Sequence, residues 1–105
     1  MSKSYSATGV VYGNCWGGGK CRYAATELSG FSSLRALKTE AKEMLKTGAL
    51  DSGMGYESLI GALLYIRKET TITFKKKVFY NVEIFPWFVG KLSVEEGDFL
   101  AGLIY

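Results

Sequence analysis

Three consecutive glycines interrupt a β-rich N-terminal region, in the stretch NCWGGGKCRY at residues 14–23. The segments on either side, KSYSATGVVYG and KCRYAATE, are rich in residue types that favour strands. Glycine adopts positive φ at little steric cost, so a glycine run between two extended segments is typical of a hairpin connection. The sequence therefore predicts that the fold starts with a β-hairpin, which the remaining elements have to extend or cover.

The length of this connection predicts a register for the hairpin. If residues 17–19 form a three-residue loop, Cys15 lies opposite Cys21 and alternation separates two faces. The predicted core face carries Val11, Cys15, Cys21, Tyr23 and Ala25, and the outward face carries Tyr12, Asn14, Trp16, Lys20 and Arg22. Opposed cysteines are close enough for a disulfide. The N-terminus MSKSYSATG lacks the features of a secretory signal, so reduced thiols are favoured while a bridge stays open.

The clearest helical pattern is SSLRALKTEAKEMLKTG. Its apolar residues recur at helical spacing and form one stripe: Leu34, Leu37, Ala41, Met44 and Leu45. Ser32 or Ser33 is expected to cap the start, and Gly48 suits the left-handed position past the end. Lys38, Lys42 and Lys46 lie on the opposite face at i+4 spacing, where they form either a solvated surface, the favoured interpretation, or a basic ridge.

The C-terminal half predicts three further strands and a short helix. LIGALLYI is ambiguous by periodicity, but its glycine and its flanks favour a strand. TTITF and VFYNVEIF then form a second hairpin across KKK, whose apolar residues share one parity and are expected to form a core face. Pro86 ends the last strand or lies at a sheet edge. SVEEGDFLAGLIY begins with a capping box, Ser93 with Glu96, and continues with an apolar face.

The predicted order ββαβββα indicates a single α+β domain over residues 1–105. We expect a mostly antiparallel sheet of two hairpins, one long amphipathic helix and a short C-terminal helix, with both helices on one face of the sheet. With 105 residues and 48% apolar content, the chain is large enough to bury a core. Its apolar runs are too short to span a bilayer, so the sequence favours a soluble, cytoplasmic protein with no membrane partner.

Composition excludes several classes of chemistry. The chain contains no histidine, which removes Ser-His-Asp and Cys-His triads and histidine acid–base catalysis. Its two cysteines fall short of the ligand set that a zinc site needs. The run GGGK is not followed by the serine or threonine of a phosphate-binding loop, and the carboxylates of EEGD suit a helix start. We therefore expect no enzyme activity, no cofactor and no metal.

Binding is the function that the remaining residues favour. Trp16 offers a stacking surface, Arg22 a planar fork for phosphate, and Asn14 both a donor and an acceptor. Backbone N–H groups of a glycine run form anion-holding concavities. We predict non-enzymatic binding, and sequestration, of a small anionic nucleotide-like ligand by a homo-oligomer whose subunits complete each pocket. The predicted ligand-binding residues are Tyr12, Asn14, Trp16, Gly18, Lys20 and Arg22, with Ser52 and Tyr56 of DSGMGYES as a second wall.

Other interpretations stay open. Large aromatics commonly serve packing, so Trp16 could contact a neighbouring element, and the Tyr56 loop could be a plain connection. A protein-interaction or inhibitor module would use exposed aromatics around FPWF. A small nucleic-acid-binding domain would use the lysines at 75–77, although a net charge of +3 is low for that class. In size and type the chain is similar to small phage proteins that sequester nucleotide signals, with no motif that matches residue by residue.

Overall fold

Five strands form one sheet in the computed structural model, which describes residues 2–15, 18–51 and 56–104, without the side chains at 15, 21, 23, 56–58, 103 and 104. The elements in chain order are β1 (Ser2–Cys15), β2 (Lys20–Ala24), β3 (Leu28–Phe31), α1 (Leu34–Thr47), β4 (Tyr56–Phe74), β5 (Lys77–Gly90) and α2 (Val94–Ile104). The strand order is β2-β1-β4-β5, and β3 pairs with β1 on the same side as β2. These pairings are all antiparallel, which confirms the predicted α+β class.

The order of elements is βββαββα, so the predicted order ββαβββα is wrong in detail. β4 runs without a break through LIGALLYI and TTITF, which were expected to form two strands. The charged residues between them do not end the strand, because they lie where the sheet extends into solvent. There Arg67 Nε donates to Glu69 Oε1 at 2.8 Å along one face. The extra strand, β3, contains Gly30 at φ +81° and carries no alternating apolar pattern.

The two helices pack on opposite faces of the sheet, so the expectation that both share one face is wrong. Leu64 belongs to the core under α1, whereas its neighbour Leu63 belongs to the core under α2. Successive strand residues point to opposite faces, so a strand that is apolar at consecutive positions needs cover on both sides. The α1 side of the core consists of Tyr5, Ala7, Val11, Leu28, Leu37, Ala41, Leu50, Ala62, Leu64, Ile66 and Val89, and the α2 side of Tyr12, Leu63 and Leu100.

Both helices begin, and α1 also ends, at the residues that local chemistry favours. Ser33 Oγ accepts from Ala36 N at 3.2 Å, and Gly48 has the left-handed conformation at φ +82°. At the start of α2, Ser93 Oγ accepts from Glu96 N at 3.1 Å while Glu96 Oε1 accepts from Ser93 N at 3.1 Å. The predicted caps are therefore confirmed. Neither described helix has the length and apolar character that crossing a membrane requires.

The β1–β2 register differs from the predicted one by two residues. Asn14 pairs with Lys20 and Gly13 with Cys21, so the prediction that Cys15 opposes Cys21 is wrong. Through its other edge, β1 pairs Cys15 with Tyr56 of β4, and the β1–β2 connection lies between the paired residues Asn14 and Lys20. A shift of two residues leaves every side chain on its original face, so the division into two faces survives. The cysteine side chains lie outside the described part of the chain, and their redox state stays a prediction.

The β4–β5 hairpin extends beyond both helices and gives the chain its length of 59 Å. Its two-residue turn places Lys75 and Lys76 at φ +49° and +63°, between the paired residues Phe74 and Lys77. In this register, even-numbered residues of β4 pair with odd-numbered residues of β5, so the even-numbered residues of the two strands lie on opposite faces of the sheet. The prediction of one buried apolar face is therefore wrong, and the hairpin residues are exposed: Ile72, Phe74, Val78, Phe79, Tyr80, Val82 and Ile84.

Candidate functional site

The two glycine-rich segments leave the sheet at the same place. Cys15, the last residue of β1, pairs with Tyr56, the first residue of β4. The chain that follows Cys15 and the chain that precedes Tyr56 therefore start from adjacent strand ends. Gly18 and Gly19 have φ of +95° and +87°, which only glycine adopts readily, and both are exposed. Sequence reasoning named both segments but had no means to place them side by side.

Four predicted ligand-binding residues lie beside these strand ends on one face of the sheet. Tyr12 pairs with Arg22, and Asn14 pairs with Lys20. Lys20 Nζ donates to Asn14 Oδ1 at 2.7 Å. Gly18 lies in the connection just before Lys20. The remaining predicted positions, Trp16, Ser52 and the side chain of Tyr56, lie outside the described residues.

Helix α2 covers part of this face, which was predicted to be open. Tyr12 is only 9% exposed and packs with Leu63 and Leu100, so its predicted position on an outward surface is wrong. The cause is α2, whose apolar residues need a surface to cover. Arg22 stays exposed, and its guanidinium carbon lies 4.1 Å from the centroid of the Phe99 ring. This cation–π contact joins β2 to the outer side of α2.

The carboxylate of Glu96 links the start of α2 to β1. It accepts hydrogen bonds from the Ser93 backbone N–H and from the Tyr12 hydroxyl, and it lies near the charge of Lys20; together these contacts lower the pKa of Glu96. Burial raises the pKa of Tyr12, the negative charge of Glu96 raises it further, and Arg22 opposes both effects. At neutral pH a neutral tyrosine therefore donates to an ionised glutamate. Sequence reasoning identified Glu96 only as a helix cap.

The exposed groups at this end of the sheet suit recognition of an anion. Lys20 and Arg22 are cationic donors, and the amide of Asn14 can donate as well as accept. Lys20 donates to Asn14 and lies near the carboxylate of Glu96, and Arg22 lies over the Phe99 ring. An anion could displace these surface contacts without disturbing the buried side chains.

A separate groove of about 880 Å³ lies on the other face of the sheet, between the C-terminal half of α1 and the ends of β4 and β5. Its lining includes Lys42, Lys46, Lys91 and Trp87, and Lys38 Nζ lies 5.2 Å from the centroid of the Trp87 ring. The FPWF motif is thus partly used for packing, because Phe85 and Trp87 contact the core under α1. The groove was not predicted, since the sequence does not show which strand α1 lies against.

Comparison with known proteins gives no family assignment. No family model, no curated protein sequence and no solved structure matches this chain.

Proposed function

We propose that this protein is a non-enzymatic binder of a small anionic, nucleotide-like ligand. The proposed site is the end of the sheet at Cys15 and Tyr56, which we call the loop end. The observation that supports it is the pairing of these two residues, because it brings both glycine-rich segments to one place beside two exposed cations, Lys20 and Arg22.

Each part of the loop end has a distinct task in this proposal. Arg22 and Lys20 neutralise phosphate charge, and Arg22 offers two parallel N–H donors. The positive φ angles of Gly18 and Gly19 allow successive backbone N–H groups to converge on one anion. Trp16 provides a flat surface for a base, and such stacking is worth about 1–3 kcal/mol. Tyr12 takes no direct part, because α2 covers it.

The first experiment asks whether a nucleotide binds at all. Freshly purified protein is analysed by native mass spectrometry, and then titrated calorimetrically with ATP, ADP and inorganic phosphate. We expect a co-purified small anion, or saturable binding of at least one nucleotide that is tighter than phosphate. A protein that carries no ligand and binds none of these probes contradicts the proposal.

The second experiment places the ligand. Arg22→Ala removes a charge-assisted hydrogen bond worth about 1.5–3 kcal/mol, so the nucleotide should bind at least tenfold more weakly. Trp16→Ala should weaken it by a similar factor. Arg35→Ala is the matched control, since it removes the same charge from the exposed first turn of α1. Equal affinities for Arg22→Ala and Arg35→Ala would place the ligand elsewhere, and the groove beside Trp87 would be the next candidate.

A further inference from the structure

β5 forms one edge of the sheet over all of its 14 residues. In the described part of the chain its one strand partner is β4, and the opposite edge of the sheet is formed by the short strands β2 and β3. Edge strands are usually protected by charges, prolines or bulges, because their free N–H and C=O groups can pair with another strand. The segment VFYNVEIF, residues 78–85, contains one charged residue, Glu83. This stretch is therefore poorly protected against pairing.

The turn determines which backbone groups of β5 point outward. Phe74 and Lys77 close a two-residue turn, and such a closing pair exchanges its hydrogen bonds within the hairpin. Alternate residues, beginning with Val78, then direct their N–H and C=O groups away from β4. Pro86 has the same parity, and a proline is tolerated where its missing N–H would face outward. An added strand can therefore pair with β5 only before Pro86.

An apolar stripe runs along this open segment on the face of the sheet that α2 covers farther along. Val78, Tyr80, Val82 and Ile84 are 49%, 77%, 44% and 61% exposed. Their cross-strand neighbours on β4 are polar or charged: Thr73, Thr71, Glu69 and Arg67. The stripe is thus one residue wide and lies at the edge itself, where an added strand with the same pattern would continue it.

We propose that two copies of this chain pair through β5, antiparallel, about a two-fold axis at Tyr80. Tyr80 then lies opposite the partner's Tyr80, and Val78 lies opposite the partner's Val82. This register also sets Lys77 opposite the partner's Glu83, twice by symmetry. Only an axis at Tyr80 places both Lys77 and Glu83 opposite a residue of the opposite charge. With the axis at Asn81 or Val82, neither residue lies opposite a charged one. The product is a continuous ten-stranded sheet with two loop ends at its far sides.

Charge exchange tests this register in sedimentation equilibrium. We expect the wild type to dimerise and Lys77→Glu, which places glutamates opposite each other twice, to weaken the dimer roughly tenfold. The double variant Lys77→Glu/Glu83→Lys restores the opposite charges and should return to within about threefold of the wild-type dissociation constant. Lys76→Glu is the matched control, because it makes the same change within the turn and should leave the dimer unchanged.

A backbone variant tests edge pairing independently of charge. Tyr80→Pro removes an outward N–H and leaves the β4–β5 ladder intact, so it should give a folded monomer by circular dichroism and sedimentation. A wild-type protein that is monomeric up to about 1 mM overturns the proposal. So does a dimer that Tyr80→Pro leaves intact, or one in which Lys77→Glu and the double variant dissociate equally. The Tyr80→Pro monomer is also titrated with nucleotide. Because the loop end is unchanged in this variant, nucleotide binding should persist when the dimer is lost, and the two proposals can fail independently.

Discussion

Truncation of Leu100 should show how strongly α2 is held against the sheet. Leu100 is fully buried and packs with Tyr12 and Leu63, and the partly buried Ala101 of the same helix packs against this cluster. Replacing a buried leucine by alanine costs about 2–5 kcal/mol, and the cost is lowest where the surroundings can close on the cavity. α2 lies at the surface and can shift inward, so we expect a loss of about 2–3 kcal/mol in the free energy of unfolding.

Urea unfolding monitored by circular dichroism measures this loss. For a chain of this size, 2–3 kcal/mol corresponds to a melting temperature about 10–20 °C lower. Phe99→Ala is the matched control on the same helix, since Phe99 is 50% exposed and contacts Arg22 through its ring. An exposed cation–π contact is worth about 0.5–1 kcal/mol, so this variant should lose far less. A Leu100→Ala protein within 1 kcal/mol of the wild type, or one no less stable than Phe99→Ala, would refute the packing argument.

Four further predictions concern the backbone and the charges of the fold. Gly9→Ala should lower the free energy of unfolding, measured in urea, by about 1–3 kcal/mol, because the new methyl group would overlap the carbonyl oxygen of Leu63. Unchanged stability would contradict the close spacing of β1 and β4 at this point. Lys76→Gly should raise the melting temperature, because Lys76 has φ +63° and glycine adopts that conformation without strain. The expected gain in the free energy of unfolding is about 0.5–1 kcal/mol. A lower melting temperature would show that the turn is not strained. Because contacts in the fold lower the pKa of Glu96, the folded state binds fewer protons than the unfolded state, and the free energy of unfolding should fall as the pH drops below about 5. Glu96→Gln should reduce that pH dependence. An identical pH profile for this variant would contradict the contacts assigned to Glu96. The pKa of Tyr12 is raised, so the opposite sign applies: its contribution is complete below pH 10 and is lost as the pH rises further, a loss that Tyr12→Phe should remove.

Local features of the fold were predictable from the sequence. The caps at Ser33, Gly48 and Ser93 depend on residues within one helical turn, and all of them occur as predicted. The apolar stripe of α1 also faces the core as its spacing indicates, with Leu37 and Ala41 buried. These features were accessible because neighbours along the chain determine them.

Features set by distant parts of the chain were not predictable. Cys15 pairs with Tyr56 at the start of β4, and nothing near residue 15 encodes that distant partner. The cover over Tyr12 comes from α2, more than 80 residues away along the chain. The exposed apolar hairpin resembles a core strand in sequence, because alternation is the same whether a face meets a helix or solvent. The sequence thus indicated that Tyr12, Asn14, Lys20 and Arg22 share one face of the sheet, whereas what surrounds them required the structure.

The most direct test of ligand binding at the loop end is a nitrogen-15 amide spectrum of the protein titrated with ADP and ATP. We predict the largest shifts at Gly18, Gly19 and Lys20 and at residues next to the Cys15–Tyr56 pair, with small shifts at the turn of Lys75 and Lys76. Shifts confined to the groove beside Lys46 and Trp87, or no shifts at millimolar nucleotide, would contradict the account.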